Sequence, residues 1–120
     1  MSREFYVISV MHTIRQHRYI TLWGPDDKGY YFRTLRSGRY PEERVRARLT
    51  YYNGGSNIAV PCDVIDPMTV MTTPADCFDG PDGSALLNTR ANWKILIANA
   101  IETPQYPPEP EFPGSRRRQA

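Results

Sequence analysis

Sulfur, imidazole and long apolar runs are all scarce in this sequence. Two cysteines, Cys62 and Cys77, are present in 120 residues, and a secreted domain stapled by disulfides normally carries more. They are expected as reduced thiols of a cytoplasmic protein, with a single bridge between them as the alternative. The two histidines, His12 and His17, sit in a polar stretch. Neither His-x-x-x-His nor Cys-x-x-Cys spacing occurs, so no zinc site is expected. The loop around Asp76, Asp79 and Asp82 lacks the alternating acidic pattern of a calcium-binding EF-hand and the glutamate that should follow it. No run approaches the roughly 18 apolar residues of a membrane span, and the N-terminal stretch reads as a strand and not as a signal peptide.

Catalytic signatures are also missing. There is no Gly-x-Ser-x-Gly elbow, and Glu42 and Glu43 are adjacent, so on a helix they point about 100° apart and do not face one another. Asn53-Gly54-Gly55-Ser56 follows a helix instead of opening one, the reverse of a phosphate-cradling loop. The chain is therefore expected to be no enzyme, with no cofactor and no metal.

What is present is arginine, unevenly placed. Of fifteen basic residues only Lys28 and Lys94 are lysines. Residues 1–60 carry ten basic against five acidic side chains, residues 61–115 two against eight, and Arg116–Arg118 close the chain. Such a split suits a polyanion-binding half, or halves that neutralise one another within the fold or between subunits of a homo-oligomer. Arginine, with its planar fork of donors, suits carboxylate or phosphate recognition better than solubility alone.

The pattern predicts a single α+β domain over 1–101. A first strand spans 4–10, and a hairpin spans 19–35 around the turn formers Gly24-Pro25-Asp26-Asp27-Lys28-Gly29. Pro41-Glu42-Glu43 starts a helix over about 42–52, with Val45, Leu49 and Tyr52 as its buried stripe and Asn53-Gly54-Gly55 as its stop. Residues 57–60 form a short strand, 61–66 one helical turn, and 70–73 an extended segment. The stretch 74–83 is loop chemistry. A second helix over about 89–101, capped by Asn88, buries Trp93, Leu96, Ile97, Ala100 and Ile101. Residues 102–120 hold five of the eleven prolines and are expected to be a disordered or polyproline-like tail.

At helical spacing Arg44, Arg48 and Tyr51 fall together on one strip, away from the Val45, Leu49 and Tyr52 stripe and free of acidic neighbours. Arg46 falls beside Glu42 and Glu43 and is expected to pair with them. Arg33, Arg36 and Arg39 precede the helix. Arg44, Arg48, Tyr51 and these three arginines form the candidate partner-binding set, read against the plain alternative of a solvated face. A second reading makes them, with Tyr19, Trp23, Tyr30, Tyr31 and Phe32 of the hairpin, a site for nucleic acid or a phosphorylated nucleotide. A third places function on the acidic surface of Asp63, Asp66, Asp76, Asp79 and Asp82, as a nucleic-acid mimic.

The residues His12-Thr13, Tyr19-Ile20-Thr21-Leu22-Trp23-Gly24-Pro25-Asp26-Asp27-Lys28-Gly29-Tyr30, Ser37-Gly38-Arg39-Tyr40 and Tyr51-Tyr52-Asn53 resemble small proteins encoded by phages and prophages of proteobacteria. Compact phage proteins of this kind are similar to inhibitors of host defence, including anti-CRISPR proteins and sponges for signal nucleotides. The resemblance implies a partner that is a host protein or ribonucleoprotein complex in the bacterial cytoplasm. It assigns no site residue.

Overall fold

The structure, a computed structural model, describes residues 3–72 and 83–116. It is an α+β protein built on a five-stranded antiparallel sheet whose organising element is β1, Glu4–Ser9. Every residue of β1 after Glu4 is buried, because the strand is covered on both faces. That explains its unbroken β-branched and aromatic run, since side chains alternate between faces and here both faces need apolar groups. Along one side β1 pairs with β5, Asn57–Pro61, from Phe5↔Pro61 to Ser9↔Asn57. Its other side is shared by β4, Tyr40–Pro41, and β2, Leu22–Trp23. β2 continues into β3, Tyr30–Tyr31, as the expected hairpin.

The sheet separates two apolar layers. Tyr6 and Ile8 face Ile58, Val60, Leu22 and Ile20, and that layer is closed by Cys62, Ile65, Trp93 and Leu96. These come from α3, Cys62–Ile65, and α4, Arg90–Ala98. Phe5, Val7, Trp23 and Ala59 face the other way and are closed by Val45 and Tyr52 from α1, Glu42–Ala47, and α2, Leu49–Tyr52. Each large apolar side chain so buried is worth about 1.5–3 kcal/mol against exposure.

The helix expected over 42–52 is two helices. Arg48 leaves helical geometry (φ −141°, ψ 55°), and its N–H bonds the carbonyl of Val45 at 3.2 Å, a tightened last turn. The break leaves Val45 and Tyr52 in the same apolar layer. Pro41 sits at the cap, extended, and the helix starts at Glu42, as expected. In α4 the cap is Thr89, whose hydroxyl accepts the Asn92 N–H, and not Asn88. Asn88 is buried and joins three segments: its amide donates to the carbonyls of Ile14 and His17 and accepts Trp93 Nε1–H at 2.7 Å. An asparagine that satisfies buried groups is worth more inside than at a helix end.

The outer edge of β5 is blocked. Ala59 N–H bonds Asn53 Oδ1 at 2.9 Å, Ala59 O accepts the Ile101 N–H at 2.8 Å, and Asn57 O accepts the Gly55 N–H at 3.1 Å. These bonds occupy the edge along which another chain could otherwise pair. Through Ile101 the chain passes from the α4 face toward the α1–α2 face. From there residues 102–116 have no helix or strand, as their prolines dictate, yet they pack, which corrects the expectation of a free tail. Tyr106 N–H bonds Gly54 O, Glu111 is buried and accepts the Arg15 N–H, and Phe112 lies against the first apolar layer. Proline lowers the entropy lost on ordering, so little apolar area suffices to hold such a length of chain down. Separately, β6, Val70–Thr72, and β7, Gly83–Ala85, form a two-stranded ribbon. The expected loop between them, with Cys77, Asp76, Asp79 and Asp82, lies outside the described residues, as do Arg117 and Arg118.

Candidate binding face

The six residues grouped as a partner-binding set do not stay together. Arg33 is fully buried, with Nε donating to Thr72 Oγ1 at 2.8 Å. It ties the end of the hairpin to the β6–β7 ribbon, where residue 33 bridges Ala85. A buried guanidinium is tolerable only when its donors are met, so Arg33 is structural and not a surface contact. Arg36 lies over the ring of Tyr31, 5.3 Å from its centroid. Arg39 stands 5.2 Å from the centroid of Tyr6, bonds Asp66 at 2.9 Å and has Glu4 at 3.9 Å. Asp66 also accepts the Tyr6 hydroxyl at 2.7 Å.

Arg44 is fully engaged as well. Its guanidinium donates to the Tyr52 hydroxyl at 3.1 Å, Asp26 at 3.1 Å and Asp27 at 3.3 Å, and it lies 5.1 Å from the centroid of Tyr40. The Tyr52 hydroxyl donates in turn to Asp27 at 2.9 Å, and Tyr40 accepts the Asp27 N–H and donates to Gly24 O. This network holds the hairpin loop, where Asp26 (φ 55°) and Asp27 (φ 62°) take left-handed backbone, a conformation non-glycine residues enter at a cost. The hydrogen bonds to Tyr52 and Asp26 push the Arg44 pKa above its ordinary value. Burial pushes the Tyr40 phenol up to about 12. Arg46, as expected, pairs with Glu42 at 2.7 Å, but its second partner is Glu102 at 3.1 Å, not Glu43.

Arg48 is different. At the break between α1 and α2 its guanidinium carbon stands 4.1 Å from the centroid of Tyr51, and among the described residues it makes no hydrogen bond or ion pair through its side-chain nitrogens. Tyr51 meets the edge of Trp23 at 5.3 Å and of Tyr52 at 4.9 Å, so the platform beneath Arg48 is braced from two sides. Trp23 is buried, and its Nε1 has no hydrogen-bond partner among the described residues. Leaving such a donor unmet costs about 1–3 kcal/mol. Tyr106 of the C-terminal segment is 66% exposed. It and Tyr51 line an open groove of about 220 Å³ together with Thr50, Gly54, Ser56, Asn57 and Gln105. Gly54 and Gly55 are required here. A Cβ on Gly54 would strike Thr50 O, and Gly55 combines φ +127° with close approach to Tyr106 O.

The face continues beyond the groove. Ser56 O accepts the N–H groups of Val10 and Met11. His12, next in the chain, stacks on Tyr30 with centroids 4.2 Å apart, while its Nδ1 lies 2.8 Å from Ser9 Oγ. Tyr30 is the register partner of Trp23. Neither Tyr106 nor His12 is among the partner-binding candidates that the sequence offers. Both sit in polar or proline-rich stretches, and the only sequence signal for Tyr106 is an aromatic residue isolated among prolines.

The acidic candidates are partly neutralised. Asp63 takes two donors from Arg3, which holds its carboxyl below the usual carboxylate range, and Asp66 is shared by Tyr6 and Arg39. Cys62 is buried, and desolvation pushes its thiol up to about 12. Among the described residues no group of three or more His, Cys, Asp or Glu side chains is placed to hold a metal ion, and no helix is long and apolar enough to cross a membrane. No protein-family model, curated protein or solved structure matches the chain.

Proposed function

We propose that this chain is a non-enzymatic binding protein that engages a host protein or ribonucleoprotein complex through the Arg48–Tyr51–Tyr106 face, as a phage-encoded inhibitor of host defence acting in the bacterial cytoplasm. The observation that carries this reading is the uncommitted guanidinium of Arg48 on a braced, exposed tyrosine. Arginine and tyrosine dominate the energetics of protein interfaces. Two tyrosines around a groove of Ser, Thr, Asn and Gly repeat the composition of antibody combining sites, where rigid rings supply area and small polar groups adapt. The buried Cys62 thiol, held protonated at neutral pH, is a poor nucleophile.

The nucleic-acid reading asks for several converging cations. Arg33 is buried, and Arg39 and Arg44 already hold carboxylates, which weighs against it. The test is phage plating efficiency on a panel of strains, each carrying one defence system and expressing the chain. The wild type should restore plating on at least one strain, and the Tyr51→Ala/Tyr106→Ala variant should restore it at least tenfold less at equal protein level. Restoration unaffected by the double variant would remove this face from the function, and restoration on no strain would remove the anti-defence role.

A further inference from the structure

We infer that the face recognises a carboxylate on an acidic protein segment, with Arg48 as the residue that reads it and the Tyr51–Tyr106 groove as the seat of the neighbouring side chain. This deepens the binding reading above and rests on it.

Four other arginines show how this molecule uses the side chain. Arg3, Arg39, Arg44 and Arg46 each hold at least one carboxylate, with N···O distances in their shortest pairs of 2.9, 2.9, 3.1 and 2.7 Å. Arg48 is exposed and has no such partner among the described residues. Its Tyr51 platform restrains the guanidinium from one face while leaving the in-plane nitrogens unengaged. A guanidinium restrained in this way has lost part of its side-chain entropy before any partner arrives, so more of each new bond appears as affinity. Its fork matches a carboxylate bidentately, the strongest hydrogen-bonded pairing ordinary side chains make.

The surroundings then favour carboxylate over a phosphate polymer. The groove that Tyr51, the ring under Arg48, helps to line is otherwise made of uncharged groups, Thr50, Ser56, Asn57, Gln105 and Tyr106 among them. A nucleic-acid strand brings one negative charge per nucleotide and gains affinity in proportion to the cations it meets. One cation beside a neutral groove suits a ligand with one fixed charge and an uncharged neighbour. About 220 Å³ admits one or two side chains of a peptide, and the Ser56 hydroxyl and the Gln105 amide suit its backbone, while the Asn57 amide is held by the Tyr51 carbonyl at 3.2 Å.

The experiment is an array of peptides about twelve residues long, each with one Asp or Glu at a varied position beside one apolar or aromatic residue. Each is paired with its Asn or Gln counterpart, and oligo(dT) of the same length is the phosphate probe. Binding is measured by fluorescence anisotropy for the full wild-type chain and for Arg48→Ala, Arg48→Lys and Tyr106→Ala. A subset of carboxylate peptides should bind the wild type about tenfold or more tightly than their amide partners, the range expected of a charge-assisted pair. Arg48→Ala should reduce that preference below twofold, and Arg48→Lys should keep part of it, since a lysine preserves charge without the fork. Tyr106→Ala should weaken carboxylate and amide peptides alike, leaving their ratio unchanged.

Any of three results would overturn the carboxylate assignment: a preference that persists in Arg48→Ala, no carboxylate peptide that outbinds its amide, or oligo(dT) outbinding every peptide. Should any of these occur while Tyr51→Ala/Tyr106→Ala still abolishes restored plating, the carboxylate assignment falls and the binding face stands. Should the double variant plate like the wild type, the face itself falls.

Discussion

Arg44 and Arg48 lie one helical turn apart on what the sequence presents as one helix face, yet the molecule uses them in opposite ways. Around Arg44 the polar groups are tied to one another: guanidinium, two aspartates, two tyrosine hydroxyls and the carbonyl of Gly24 close a network over a left-handed loop. Around Arg48 there is one aromatic contact, to Tyr51, whose ring also lines a polar groove. The difference comes from the backbone. A continuous helix would stack the two side chains on one strip, and the break at Arg48 divides that strip at its second arginine. One half of the helix then secures the hairpin, and the other half presents a surface. Helical spacing alone therefore overestimates how many charges on a strip are available to a partner.

The largest expected effect concerns what supports the available half. Tyr106 reaches the groove because residues 102–116 are tied down by the Tyr106 N–H to Gly54 O, the buried Glu111 and the packing of Phe112. Deleting residues 102–120 should lower the melting temperature by more than about 8 °C, the shift that about 1–2 kcal/mol produces in a domain this size. A drop under about 2 °C, well below 1 kcal/mol on the same scale, would mean that the segment does not pack and that Tyr106 is no fixed wall of the groove.

A smaller effect reads two buried groups, the Tyr40 phenol of the engaged half and the Cys62 thiol of the opposite layer. The Tyr40 phenol is held up to about 12 against an ordinary 10.0, chiefly by burial, and Cys62 is held up to about 12 against 9.0. Groups whose folded pKa is raised contribute stability that is complete below the unfolded value and is lost as pH rises through the folded one. Stability in denaturant should therefore be level near neutrality and fall from about pH 9 toward 12. A Tyr40→Phe/Cys62→Ser variant should show a shallower fall. An unchanged slope would place the alkaline loss elsewhere.

Much of the architecture was legible in the sequence, and the reasons are specific. β1 announces itself as an apolar run buried on both sides, the hairpin by its turn residues, and α1–α2 and α4 by their apolar stripes. The set Val45, Leu49 and Tyr52 lies where the spacing places it, and so do Trp93 and Leu96. The site was legible only in part. Arg48 and Tyr51 are neighbours, as their spacing implies, but nothing local shows that Arg33 is buried against a ribbon formed much later in the chain. Nor does anything local show that Asp26 and Asp27 fold back onto Arg44. Composition likewise marked residues 102–120 as a disordered or polyproline-like tail; the described part, 102–116, has no helix or strand, but composition hid that such a segment can still be fastened at Gly54 and Arg15. Long-range partners decide which surface charges are free, and they leave no trace in local pattern.

The smallest expected effect is also the most telling measurement. Thermal unfolding of Arg44→Ala and Arg48→Ala, compared side by side, asks directly which arginine the fold depends on. Arg44 is more than a third exposed, so its ion pairs count for little. The loss of its Tyr52 bond and of its hold on the strained loop should nevertheless cost on the order of 1 kcal/mol, or about 4–8 °C. Arg48→Ala should stay within about 0.5 kcal/mol of the wild type, as surface substitutions do. Equal losses, or a larger loss at Arg48, would contradict the division of labour on which the binding face depends.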